Sequence, residues 1–134
     1  MERNLSVVLD TCALIWWSLD PQKLSPTAQK TCQQMEKEKN GLVASISVWE
    51  IAIKIKNNKL DLGVSLDTYV EALKKSDVIR IVAIDENLWL KSVVLEWSHR
   101  DPSDRVIVAL AEKYRASLLT ADKIIANFYP LVIW

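Results

Sequence analysis

The order of apolar runs predicts an α/β fold: a three-layer α/β/α sandwich around a mostly parallel sheet of about five strands. Three observations predict it. Short β-type runs alternate with longer helical ones along the chain, and strands separated by helices pair in parallel through right-handed crossovers. The strands are apolar throughout, which suits a sheet covered by helices on both faces. A length of 134 residues suits one domain, spanning 1–134, able to bury a core without disulfide or structural metal.

The elements follow in order. Residues 6–9, SVVL, read as the first strand and end at Asp10. Residues 11–19 form a helix rich in Leu14, Ile15, Trp16 and Trp17, broken by Asp20-Pro21. Pro26 opens a second helix, where a first turn tolerates proline, and Asn40-Gly41 stops it. Residues 42–45 are the second strand. Ser47 is placed to cap a helix over 47–60, whose spacing turns Trp49, Ala52 and Ile53 to the core with Glu50 at their edge. A fourth helix covers about 65–75, and residues 78–84 form a third strand. Asp85 caps a helix over 86–97, and Asp101-Pro102 opens another over 103–115. Residues 117–119 are a fourth strand ended by Thr120. Asp122 starts a short helix, and residues 131–134 are the last strand.

Composition excludes several classes. Half the residues are hydrophobic and a quarter charged, the balance of an ordinary globular chain. Cys12 and Cys32 are two thiols in helical stretches. They make no disulfide framework and read as reduced cysteines of a cytoplasmic protein. No apolar run reaches membrane-spanning length. The start of the chain is interrupted by Asp10 and lacks a small-residue cleavage site, so it does not read as a signal peptide. Seventeen basic residues balance seventeen acidic ones, so any surface for nucleic acid must be a local patch.

In parallel sheets, sites form beyond the C-terminal strand ends. Asp10 follows the first strand and Asp122 the fourth. Glu50 lies early in the helix after the second strand, and Asp104 in the first turn of the helix leading to the fourth. Each also has an ordinary structural reading. Asp10 and Asp122 serve as helix caps, Asp104 complements a helix dipole behind the capping Asp101, and Glu50 pairs with Lys54 one turn on. Together, if the strands are central neighbours, the four converge at one sheet edge. Four acids in one place repel unless a cation sits among them, and carboxylate oxygens are the ligands Mg²⁺ prefers.

The segments VVLDTCALIWW, SISVWEIAIK, HRDPSDRVIVALA, LLTAD and the terminal VIW, in this order, resemble the VapC-type PIN-domain ribonucleases, toxins of toxin–antitoxin pairs. The resemblance spans essentially the whole chain. It implies an Mg²⁺- or Mn²⁺-dependent endoribonuclease with Asp10, Glu50, Asp104 and Asp122 as the catalytic acids. Asp10 and Asp104 would be the direct metal ligands, with Glu50 and Asp122 completing the site directly or through water. Thr11 and Thr120 match positions whose hydroxyls support it. Asp101 is either an outer acid or, as favoured here, a cap. The resemblance further implies an RNA substrate, a protein antitoxin and a homodimer. Lys54, Arg100 and Arg105 are the candidate RNA contacts, with Lys56 and Lys59 beside them. His99, the only histidine, reads as part of a solvated loop, and a ribonuclease built on a histidine pair is excluded. The six tryptophans read as core or interface residues.

Two rivals stand beside this reading. A phosphoaspartate phosphatase wants a second Asp two residues after the first, where Cys12 stands. A receiver domain wants an acidic pair after the first strand and a lysine after the fifth, where the chain has Trp134. Neither explains Glu50. A catalytically silent PIN-fold binding module, its acids serving only as caps, is the non-enzymatic alternative.

Overall fold

The computed structural model describes residues 5–134; the first four residues, on which part of the signal-peptide reading falls, lie outside that range. Five strands, β1 (Val7–Leu9), β2 (Gly41–Ala44), β3 (Ile79–Val82), β4 (Ser117–Leu119) and β5 (Val132–Ile133), form one sheet in the order β3-β2-β1-β4-β5. Every pairing is parallel. The chain builds outward from β1 through β2 to β3, then crosses back to lay β4 on the other side of β1. That reversal makes the β1/β4 boundary the switch point of the sheet, where a crevice opens beyond the strand ends.

Seven helices cover the sheet: α1 (Thr11–Leu19), α2 (Pro26–Glu38), α3 (Ser45–Lys56), α4 (Leu66–Ser76), α5 (Glu86–Val94), α6 (Pro102–Tyr114) and α7 (Lys123–Ala126). Side chains alternate across the sheet even though the strands are apolar throughout. Val7 and Leu9 join Leu14, Met35 and Tyr69 in one core, while Val8 joins Val106, Leu110 and Ile125 in the other. Helix α6 is buried without interruption from Val106 to Ala111, so only its ends carry polar chemistry.

The helix starts follow one local rule. Asp10, Ser25, Ser65, Asp85, Asp101 and Asp122 each accept a backbone N–H of the helix they precede, satisfying a donor that would otherwise lack a partner. Other boundaries moved. A short 3-10 turn, Pro21–Lys23, follows the break at Asp20. Helix α2 ends at Lys39 in the left-handed conformation, with φ 54°, so Gly41 is not its stop. Gly41 begins β2 because a Cβ there would lie 2.6 Å from Ile79 Cγ2 and 2.8 Å from Met35 Sδ.

Helix α3 starts at Ser45, two residues before the expected cap, and ends at Lys56. Its buried positions are Ser47 and Ile51, whereas Trp49 and Ile53 are exposed. The expected core face was therefore rotated, because Ser47 is drawn inward to the Thr11 hydroxyl, 2.9 Å away. Helix α5 stops at Val94, three residues short of expectation. Arg105 accounts for the stop: its guanidinium donates to the carbonyls of Ser92, Val93, Leu95, Trp97 and His99 at 2.6–3.2 Å. Those bonds satisfy the carbonyls a helix end leaves unpaired and hold the following loop.

Candidate active site

Beyond the C-terminal ends of β1 and β4, Asp10, Glu50, Asp104 and Asp122 line one cavity of about 370 Å³, together with Thr11, Cys12, Trp16 and Lys54. A larger concavity of about 670 Å³ lies at the loop after α3, but Asp61 is its only acid. Size therefore does not mark the site; the convergence of acids does.

Asp10 is buried. One carboxylate oxygen accepts the Ala13 N–H at 2.9 Å and the other accepts the Thr120 hydroxyl. Burial pushes its pKa up to about 6; the bonds from Thr120 and Ala13 oppose the rise, and the charges of Asp104 and Asp122 add to it. Thr120 sits in a relay, accepting the Asp122 N–H at 3.1 Å while donating to Asp10. The relay spans 110 residues of sequence and exists because β1 and β4 pair in register, Leu9 opposite Leu119.

Glu50 is half-buried and accepts two hydroxyls on the same oxygen, from Thr11 and from Ser103 at 2.7 Å. Because the Thr11 proton points to Glu50, Ser47 is the donor to Thr11. The expected Glu50–Lys54 ion pair is not among the salt bridges of the described residues. Ser103 escaped sequence reading. Its only signal was its place at the start of α6, which reads equally well as helix composition.

The Asp104 carboxylate accepts from the ring of His99, Nε2 to Oδ2 at 2.8 Å. Burial raises its pKa; the His99 bond opposes this, and Asp101 and Asp122 add to it. His99 is thus no free loop residue. Its ring packs on Trp97, which stacks on Phe128. Asp101 caps α6 through the Asp104 N–H at 3.1 Å. Asp122 caps α7 through the Ile124 N–H at 2.8 Å. The Cys12 thiol is raised first by loss of hydration and then by Asp10, so it stays protonated and is a poor nucleophile.

The expected cationic residues divide. Lys54 lines the acidic cavity and Arg100 is exposed beside His99. Arg105 is committed elsewhere: all five of its N–H donors have geometry toward the carbonyls at the end of α5, leaving none for a phosphate. The tryptophans divide as well. Trp16 packs on Trp134 and Trp97 on Phe128, and Trp17 donates to Glu36. Trp49 and Trp89 are exposed rather than core.

The donor set fits a hard divalent cation. Its oxygens are carboxylates, and the neighbouring acids that raise Asp10 would be offset by positive charge. Among the described residues no three His, Cys, Asp or Glu side chains form a ready-made metal cage. Mg²⁺ does not require one, since it keeps several waters and takes one or two carboxylates.

The family model of the PIN domain matches residues 7–129. Ribonuclease VapC22 of Mycobacterium tuberculosis (strain ATCC 25618 / H37Rv) is 29% identical over 133 residues, covering 96% of this chain and 98% of that protein. Among solved structures, a toxin–antitoxin complex from Klebsiella pneumoniae matches with a TM-score of 0.64 at 20% identity, over 96% of this chain and 97% of that one. FitAcB from Neisseria gonorrhoeae matches with a TM-score of 0.61 at 17% identity, over 94% of each chain. Both structures share the fold.

Proposed function

The chain belongs to the PIN domain family, and from that premise we propose that it is a divalent-metal-dependent endoribonuclease, the toxin of a toxin–antitoxin pair, acting in the cytoplasm as one domain. The observation that carries this reading is the convergence of Asp10, Glu50, Asp104 and Asp122 on one cavity at the sheet's switch point. The likeness to Ribonuclease VapC22 along nearly the whole chain supports it.

Asp10 and Asp104 would hold Mg²⁺ or Mn²⁺, with Glu50 and Asp122 holding it directly or through water. When bound, the ion supplies charge that polarises the phosphodiester and lowers the pKa of water. The chain's own residues set up that chemistry. Thr120 and the Ala13 N–H fix the Asp10 carboxylate, and His99 fixes one oxygen of Asp104. Thr11 and Ser103 hold Glu50 to the cavity wall. Lys54 offers a positive charge to the RNA backbone in the same cavity, and Arg100, exposed beside His99, offers a second. Lys54 and Arg100 anchor the strand without reading its sequence.

A protein antitoxin would restrain the enzyme by occupying the acidic groove. A homodimer would form through α5, whose Leu90, Val93 and Val94 are 65–73% exposed, an apolar surface of the kind that marks association. The silent-module reading draws on one observation, that Asp10, Asp101 and Asp122 all make cap hydrogen bonds.

Incubating the purified chain with total cellular RNA and Mg²⁺ or Mn²⁺, beside EDTA and Asp10→Asn controls, separates the two. Cleavage lost in both controls is the expected result. No cleavage by the folded chain, together with no new RNA ends in cells expressing it, would leave the binding module.

A further inference from the structure

Glu50 reaches the acidic cavity with one oxygen already engaged. Its Oε1 accepts both the Thr11 hydroxyl and the Ser103 hydroxyl, the latter at 2.7 Å. A carboxylate oxygen has two lone-pair sites, and here both are taken. No hydrogen bond among the described residues reaches Oε2. The donors are themselves fixed. Thr11 and Ser103 are buried, and so is Ser47, which donates to Thr11 at 2.9 Å. A buried hydroxyl keeps its partner, because leaving it unpaired is costly.

Glu50 also borders a neighbouring opening of about 580 Å³, lined by Trp49 and Trp89, which continues the apolar face of α5. Thr11 lines the acidic cavity and Ser103 the apolar opening, so Oε1 lies in the wall between them. Ser103 adds a constraint of its own. It stands next to Asp104 in the first turn of α6, a turn set by the Asp101 cap. Its bond to Glu50, 53 residues away in sequence, ties α3 to the turn that carries a second acid of the cavity.

That restraint bears on which cation the cavity accepts. Mg²⁺ keeps near-octahedral order with several waters and one or two carboxylates, and Mn²⁺ accepts the same set of oxygens. Ca²⁺ gathers roughly six to eight oxygens and readily takes both from one carboxylate. A glutamate with Oε1 held by two hydroxyls offers the other oxygen freely. Offering both would break a bond to a buried hydroxyl, a penalty that falls on the larger ion alone. We propose that Ser103 is a positioning residue that, with Thr11, confines Glu50 to a single free oxygen and so sets a preference for Mg²⁺ and Mn²⁺ over Ca²⁺. This rests on the metal-dependent reading of the cavity.

The test is calorimetric titration of the metal-free chain with Mn²⁺ and with Ca²⁺, beside urea unfolding to show that each variant is folded. Wild type is expected to prefer Mn²⁺. Ser103→Ala releases one lone pair of Oε1 and should lower the preference for Mn²⁺ over Ca²⁺ by about ten-fold. Thr11→Val removes the other donor to the same oxygen and should shift the preference the same way; it carries the test should Ser103→Ala fail to fold. In a Glu50→Gln background, adding Ser103→Ala should leave the preference where Glu50→Gln alone puts it, because Ser103 acts only through Glu50. A wild type without preference, folded variants that keep the wild-type preference, equal weakening of both cations, or a Ser103→Ala effect that survives in the Glu50→Gln background would each overturn the proposal. Metal-dependent cleavage of total RNA by the wild-type chain alongside any of these results sinks this inference alone. A folded wild type that binds neither cation and cuts no RNA sinks the ribonuclease reading with it.

Discussion

Two cavities share Glu50 and differ in almost everything else. The acidic one is walled by Asp10, Asp104 and Asp122, with half-buried Lys54 as its one cationic side chain. Its acids are held by Thr120, Ala13, His99 and helix-end donors. The apolar one is bordered by exposed indoles and has no cation. The difference shows that burial serves two purposes at the same sheet edge. In the first it stores charge that a metal or substrate can relieve. In the second an apolar surface is left open where a core residue would have been covered.

The largest break comes from Asp10→Asn. Removing a ligand charge takes away several kcal/mol of transition-state stabilisation, so cleavage rate should fall by about a thousand-fold or more. Gel-based cleavage of total RNA measures it.

Arg105→Leu should unsettle both cavities together. It strips five bonds from the carbonyls between Ser92 and His99, the segment that ends the Trp89 helix and positions His99. With hydrogen bonds to charged groups worth about 1.5–3 kcal/mol each and partial replacement by water, the loss should be about 3 kcal/mol in urea unfolding. A variant as stable as wild type would show the guanidinium plug to be dispensable.

The stored charge at Asp10 has a pH signature. Its carboxyl is pushed up to about 6 in the fold from an ordinary value of 3.8, a difference equivalent to about 3 kcal/mol. The folded chain binds the proton more tightly than the unfolded chain. Stability of the metal-free protein is therefore highest below pH 3.8 for this group's contribution and falls as pH rises through about 6. In EDTA at pH 7, Asp10→Asn should be more stable than wild type by about 1–3 kcal/mol, and the gap should close at pH 4. Excess Mg²⁺ should stabilise wild type alone. Unfolding curves at both pH values decide it, and an Asn variant less stable at pH 7 would deny that charge is stored there.

Thr120→Val removes the hydroxyl donor to Asp10 and should cost about 10–100-fold in metal affinity or cleavage, readable by Mn²⁺ titration. The smallest effect belongs to Cys12→Ala. Its raised thiol takes no part in the acid network, so stability should stay within about 0.5 kcal/mol and cleavage should stay near wild type.

Much of this was legible locally. Strand, acid and helix follow one another at Asp10, Asp85 and Asp122, because an acid that ends a strand also caps the next helix. The Asp101-Pro102 start of α6 was readable for the same reason. The rotated face of α3 was not. Its apolar residues outnumber the positions that can be buried, and the choice between Trp49 and Ile51 fell to neighbours distant in sequence, notably Thr11 against Ser47. Arg105 beside Asp104 looked like an RNA contact because its partners are carbonyls, which any residue type carries.

By itself the sequence determined the element order, the aspartate caps and which four acids stand at the strand ends, since propensity, capping and the polarity of strand ends act within a few residues. The tertiary structure alone decided that Ser103 joins Thr11 on Glu50, that His99 meets Asp104, and that Trp49 and Trp89 border an opening with Glu50. Those contacts join residues from 5 to 53 positions apart, and only the parallel sheet and the packing of α3, α5 and α6 bring them within hydrogen-bond or cavity distance.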